Sequence, residues 1–136
     1  HIINIAMAGH SGAGKTSVAE AMLYLSKASD RLGKIADGNT QLDFDPEEIR
    51  RKFSISAAVA TCDWNGTKFN IIDTPGYFDF VGEMIEGVRV SGSAVIVVSG
   101  KSGVSAGTEK AWKMAKIKDI GMYMINLNLK LYMMML

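Results

Sequence analysis

Gly9-His10-Ser11-Gly12-Ala13-Gly14-Lys15-Thr16 has the spacing G-x-x-x-x-G-K-[ST], and the segments on either side give that octapeptide its meaning. Ile2 to Ala8 (IINIAMA) is a short, mostly apolar run ending at Gly9, the pattern of a strand buried on both faces. From Lys15 the period changes: Val18, Ala21, Met22 and Leu25 recur at spacings of three and four, as along one side of a helix. A strand, a glycine-rich bend and a helix in that order form an anion nest. The three glycines let successive backbone N–H groups point inward at phosphate oxygens. The helix adds the positive end of its dipole. In such a loop the lysine (Lys15) is a mobile charge for the β- and γ-phosphates, and the hydroxyl after it (Thr16) is a ligand for Mg²⁺.

Asp73 ends a second apolar strand, Phe69–Ile72, and is followed by Thr74-Pro75-Gly76. A carboxylate there is placed to reach the same Mg²⁺ from a neighbouring strand, through a water. Gly76 offers a backbone N–H free of side-chain obstruction, suited to sensing a γ-phosphate.

Between these motifs the chain alternates strand and helix. Leu32-Gly33 and Asp37-Gly38 break the first helix, and residues 31–53 form a long polar connection with Asp43, Asp45, Glu47 and Glu48 followed by Arg50, Arg51 and Lys52. A connection of that length is functional or a solvated surface loop. Ile55, Ala57, Val59 and Thr61 alternate with smaller partners, and Asn65-Gly66 turns the chain into Lys68–Ile72 as a hairpin. Phe80–Val90 reads as a helix, Ala94–Val98 as a buried strand, Thr108–Ile117 as a helix, and Tyr123–Asn126 as the start of a last strand. The order β-α-β-β-α-β-α-β predicts an α/β fold, a three-layer α/β/α sandwich whose mostly parallel sheet has one antiparallel strand. Residues 1–121 form the core of one domain, and residues 122–136 an apolar tail of it. That tail holds five of the nine methionines. It reads as a buried strand plus the stub of a helix, or as separated segments run together.

Composition narrows the function classes. The chain has 136 residues, 48% apolar and 21% charged, which describes a globular domain rather than a disordered one. Fifteen basic against fourteen acidic residues argue against a generic polyanion coat, so no specific DNA partner is expected. A single cysteine, Cys62, permits no internal disulfide and fits a reducing, cytoplasmic setting; it reads as a small core residue. No uncharged apolar run approaches the roughly 20 residues that cross a bilayer, so no membrane association is expected. Trp64 and Trp112 read as packing or surface residues, and the backbone of His10 counts for more than its ring.

GHSGAGKT, the charged segment ending in RRKFSIS, and DTPGYFDFVGE, in that order, resemble the translational GTPases, most of all elongation factor G and its paralogues. The resemblance runs from residue 2 to about residue 120. It implies a P-loop NTPase G domain, GTP or GDP with Mg²⁺, and a ribosome-stimulated GTPase of elongation factor G-like type. It makes residues 31–53 switch I and residues 73–90 switch II, with Phe78 and Phe80 as pivot contacts. It places nucleotide contacts on Gly9, His10, Ser11, Gly12, Ala13, Gly14, Lys15, Thr16, Ser17, Asp73, Gly76 and Asn126. It places Mg²⁺ on Thr16, Ser54 and Asp73, and catalysis on Lys15, Gly76 and Tyr77.

The pattern departs from the family at four points. Ser54 stands where switch I has a threonine, keeping the hydroxyl. Gly12 replaces an aspartate of the phosphate loop. Tyr77 replaces the catalytic histidine, and a phenol is mainly a hydrogen-bond donor near neutral pH where an imidazole titrates. Asn126 is followed by Leu127-Asn128-Leu129 where the family's N-K-x-D reads guanine, and the last strand and helix of a G domain are missing. Gly12 and Tyr77 therefore open an alternative, a switch that holds GTP with little or no hydrolysis. The lost guanine motif opens another, an ATP-using P-loop enzyme.

Overall fold

Ala6, Met7 and Ala8 have no exposed surface, and the sheet is assembled around the strand that carries them. The computed structural model describes residues 1–127. Five strands, β1 (Ile2–Gly9), β2 (Ala58–Trp64), β3 (Thr67–Asp73), β4 (Ser93–Ser99) and β5 (Gly121–Leu127), lie in the order β2-β3-β1-β4-β5. Only β2 runs antiparallel to its neighbour. The β2–β3 turn has Asn65 and Gly66 at φ 49° and 75°, the paired left-handed conformation that a two-residue hairpin needs.

The helices are α1 (Lys15–Leu25), α2 (Pro46–Arg51), α3 (Val81–Val90) and α4 (Ala106–Lys118), of which α1, α3 and α4 pack on the sheet. Side chains alternate across β1 and β4, so each strand feeds two layers. Met7, Val95 and Val97 pack with Ala19 and Leu23 of α1. Ala6, Ala8, Ile96 and Val98 pack with Met84 and Val88 of α3 and with Ala111 of α4. The result is the three-layer α/β/α sandwich expected from the strand–helix order.

The structure differs from the sequence reading in three places. Helix α1 stops at Leu25 rather than at Leu32-Gly33: the Ser26 hydroxyl and the Ser29 N–H both donate to the Leu23 carbonyl, and Lys27 turns left-handed at φ 62°. The connection 31–53 is not all loop. It holds a 3₁₀ turn at Ile35–Asp37 and the short helix α2. Pro46 opens α2, the Asp45 carboxylate accepts from the Glu47 N–H at 2.8 Å, and Glu48 reaches back to the Asp45 N–H at 3.2 Å. On β2 it is Ala58 and Cys62 that are buried, whereas Val59 is 66% exposed. Strand alternation puts Ala58, Ala60 and Cys62 on the face that meets Met22 and Phe69, and turns Val59 and Thr61 to the other side. Within the apolar tail, Met122–Leu127 belong to β5, and residues 128–136 lie outside the described residues.

Leu23, 1% exposed beneath the sheet, gives a packing test. Leu23→Ala is expected to cost about 2–5 kcal/mol of stability. Val59→Thr on the exposed side of β2 is expected to stay within about 0.5 kcal/mol of the parent. Urea denaturation midpoints measure both.

Candidate functional site

The parallel registers bring three strand ends to one place. Met7 pairs with Asp73 and Gly9 with Val97, so the phosphate-type loop leaves β1 beside the end of β3 and over β4. Gly9, Gly12 and Gly14 have φ of 139°, 74° and 102°, which side chains resist, and this curl turns the loop into the start of α1. Thr74 secures the neighbouring turn: fully buried, it donates its hydroxyl to the Met7 carbonyl at 2.7 Å.

Thr16 lies in the first turn of α1 and donates to Oδ2 of Asp73 at 2.5 Å. Its hydroxyl is also 3.2 Å from that of Ser54, which in turn donates to Oδ1 of Asp43 at 2.6 Å. Lys15, buried at the same level, donates through Nζ to the His10 carbonyl at 2.9 Å and so lies folded back over the loop. Thr16, Ser54, Asp43 and Asp73 therefore form one connected polar cluster under the loop.

This cluster is short of solvent and of partners. Burial raises the Asp73 carboxyl to about 7, against the hydrogen bond from Thr16 and the charge of Lys15, which pull it down. Burial raises Asp43 too, opposed first by the Ser54 hydrogen bond. Burial lowers Lys15, opposed by the carboxylates of Asp73 and Asp43. Oδ1 of Asp73 and Oδ2 of Asp43 are buried without a hydrogen-bond partner. Orphaned carboxylate oxygens and two hydroxyls make a hard, all-oxygen donor set of the kind that Mg²⁺ takes, completed by water or by substrate phosphates. The residues present fit a magnesium ion.

The other predicted residues divide into near and far. Ser11, Gly12, Gly14, Lys15, Thr16, Ser54 and Gly76 line one cleft, together with Asp43, Phe53 and Lys52. Gly76 is pressed against the loop so closely that a Cβ there would collide with the Ser11 N–H and the Lys15 ammonium. Ala13 is buried beneath the loop, and Ser17 follows Thr16 on α1. The His10 ring does not face the cleft. Its Nδ1 is buried without a partner, against Gly107 at the start of α4. Tyr77 is 44% exposed and packs on Phe53, with ring centroids 4.5 Å apart. Phe78 lies under the Lys110 ammonium at 4.9 Å. Asn126, paired with Val98 at the same sheet edge, is exposed and does not line the cleft.

Asp43 and Phe53 are the site residues that the sequence reading did not single out; no motif marks them, because the loop brings them in from a distance. The basic run is already engaged: Arg50 and Arg51 pair with Glu47, and Lys52 donates to the carbonyls of Ile35 and Ala36.

The raised Asp73 sets the direction of a pH effect. Between its ordinary 3.8 and about 7, the folded chain holds a proton that the unfolded chain releases. In metal-free buffer, stability should therefore fall as pH rises from about 4 to about 7, by on the order of 4 kcal/mol. Asp73→Asn, which keeps an acceptor for Thr16, is expected to flatten that slope in urea titrations between pH 4 and pH 8.

The chain matches the Elongation factor Tu GTP binding domain over residues 1–128. It is 40% identical over 119 residues to an elongation factor G-like protein of Mycobacterium tuberculosis, covering 88% of this chain and 16% of the relative. It is 44% identical over 114 residues to the mitochondrial ribosome-releasing factor 2 of Yarrowia lipolytica, covering 84% of this chain and 14% of that protein. The chain thus spans about one-sixth of the length of these relatives. A crystal structure from Thermus thermophilus superposes on 92% of the chain and 19% of its own length, with a TM-score of 0.89 at 34% identity. A bacterial selenocysteine-specific elongation factor covers 97% of the chain and 22% of its own, with a TM-score of 0.72 at 26% identity. On the family match over residues 1–128 and these identities, the chain belongs to the Elongation factor Tu GTP binding domain family, as a translational GTPase G domain of the elongation factor G-like kind.

Proposed function

We propose that this domain binds GTP and GDP with Mg²⁺ and hydrolyses GTP, slowly alone and faster when a ribosome completes the site. The observation that carries the reading is the Thr16–Asp73 hydrogen bond, which joins the end of the phosphate loop to the end of β3 with one carboxylate oxygen left unpartnered. Backbone N–H groups from Gly9 through His10, Ser11, Gly12, Ala13 and Gly14 to Ser17 hold the phosphates. Lys15 leaves the His10 carbonyl to meet the β- and γ-phosphate oxygens. Thr16, Ser54 and Asp73 hold Mg²⁺, which when bound neutralises charge on the phosphates. The Gly76 N–H faces the γ-phosphate, and Tyr77 orients the attacking water as a hydrogen-bond donor. Asn126 contributes to the base side. Residues 31–53 and 73–90 are the switches, ordered by γ-phosphate contacts and released on hydrolysis. Action on a ribosome sets the compartment: the cytoplasm, or an organelle that translates.

Lys15→Ala is expected to weaken GTP binding by at least about 100-fold in a fluorescent-nucleotide titration, since it removes the only buried cation of the cleft among the described residues. Intact affinity refutes the reading. In the full-length protein, Tyr77→Phe is expected to lower ribosome-stimulated turnover by about tenfold, leaving GDP affinity unchanged. Unaltered turnover removes the phenol from the chemistry.

A second reading rests on Gly12 and Tyr77, which leave the loop without its carboxylate and the water without an imidazole: a GTP-holding switch that does not cleave. Prompt phosphate release in a ribosome-stimulated single turnover eliminates it. Competition between GTP and ATP for the same fluorescent probe tests guanine preference.

A further inference from the structure

Glu20 sits on α1 one turn beyond Thr16, with no exposed surface, and none of the roles above uses it. A carboxyl group buried there is costly unless it is compensated. No salt bridge among the described residues includes it. Its Oε1 accepts two backbone hydrogen bonds, from the Gln41 N–H at 2.6 Å and the Leu42 N–H at 3.1 Å. Its Oε2 has no partner and packs against Gly33 so tightly that a Cβ there would collide with it. One side chain of α1 thus grips the connection at two points, around Gly33 and at Gln41–Leu42.

The grip bears on the site through a short chain of contacts. Leu42 is 2% exposed, and Asp43 follows it. Asp43 accepts from Ser54, and the Ser54 hydroxyl meets that of Thr16. Residues 39–45 have neither helix nor strand of their own; the Thr40 hydroxyl and the Asp43 backbone close a local turn, and the two hydrogen bonds to Glu20 tie that turn to α1.

We propose that Glu20 is a positioning residue for the nucleotide site: by holding the backbone of residues 41 and 42 it keeps Asp43 and Ser54 facing Thr16 and Asp73, and so sets how long a magnesium-bound nucleotide stays. The inference rests on the Mg²⁺–nucleotide reading above. Its action is through reach and acceptor capacity, not through charge.

The test measures dissociation of a fluorescent GDP from the full chain across a range of Mg²⁺ concentrations, with thermal melting alongside. Glu20→Asp keeps the charge but is one methylene too short to reach residues 41 and 42. It is expected to speed release by about tenfold or more and to raise the Mg²⁺ concentration needed to slow it. Glu20→Gln keeps the acceptor without the charge and is expected to remain within about threefold of the parent. Parent-like release from Glu20→Asp, or equal damage from both variants, overturns the proposal. So does a change in melting alone, with no change in the Mg²⁺ dependence. If the parent itself binds no GDP, the underlying nucleotide reading fails instead.

Discussion

The hydrogen bond between the Thr16 hydroxyl and the Asp73 carboxylate is the constraint from which the rest of the carboxyl edge follows. Its two residues are 57 positions apart and are joined only because β1 and β3 run parallel, with Met7 opposite Asp73. A slip of one residue in that pairing would turn Asp73 to the other face of the sheet and take its carboxylate away from α1. The register is held in turn by a core that admits no such slip. Met7 and Ile71 face one layer and Ala6 and Ala8 the other, all without exposed surface.

Around that bond the domain keeps charge where burial disfavours it. Lys15, Asp73, Asp43 and Glu20 are each at most 6% exposed, and desolvation pushes all four toward their neutral forms. Their mutual attraction and repulsion do not cancel, and three carboxylate oxygens are left unpartnered. A core built for stability alone would hold apolar residues there instead. Such a cluster is poised to gain when a cation and a polyanion enter together, because both satisfy groups that the fold by itself leaves short. This is the physical content of a preorganised nucleotide site.

The segment between α1 and β2 is held in an unusual way. Its backbone N–H groups are met by carboxylates on three different helices. Glu20 of α1 takes Gln41 and Leu42, Glu48 of α2 takes Ile55 and Ser56, and Glu83 of α3 takes Ala57 at 2.7 Å. These are separate carboxylate contacts rather than a ladder, so each can be exchanged without unzipping the others. A segment tethered this way can order around a ligand and let go of it while the sheet stays intact. The Phe53–Tyr77 ring contact adds an apolar link to the segment after β3.

Local signals determined a good part of this protein by themselves. The octapeptide after an apolar strand specifies a curled loop and a helix start, because glycine spacing and backbone dipoles act within a few residues. The Asn65-Gly66 turn and the apolar runs of β1 and β4 are equally local, and they set the layer order. Helix α2 was legible in principle, since Asp45-Pro46 with Glu48 is a helix-start signature, but its polar surroundings masked it. Tertiary structure alone decided which face of β2 is buried, that Asp43 and Phe53 converge on the phosphate loop, and that Glu20 meets Gln41 and Leu42. Those outcomes depend on contacts between residues far apart in the chain, where neither periodicity nor spacing carries a trace. A buried carboxylate reads in sequence like any exposed one until the fold removes its water.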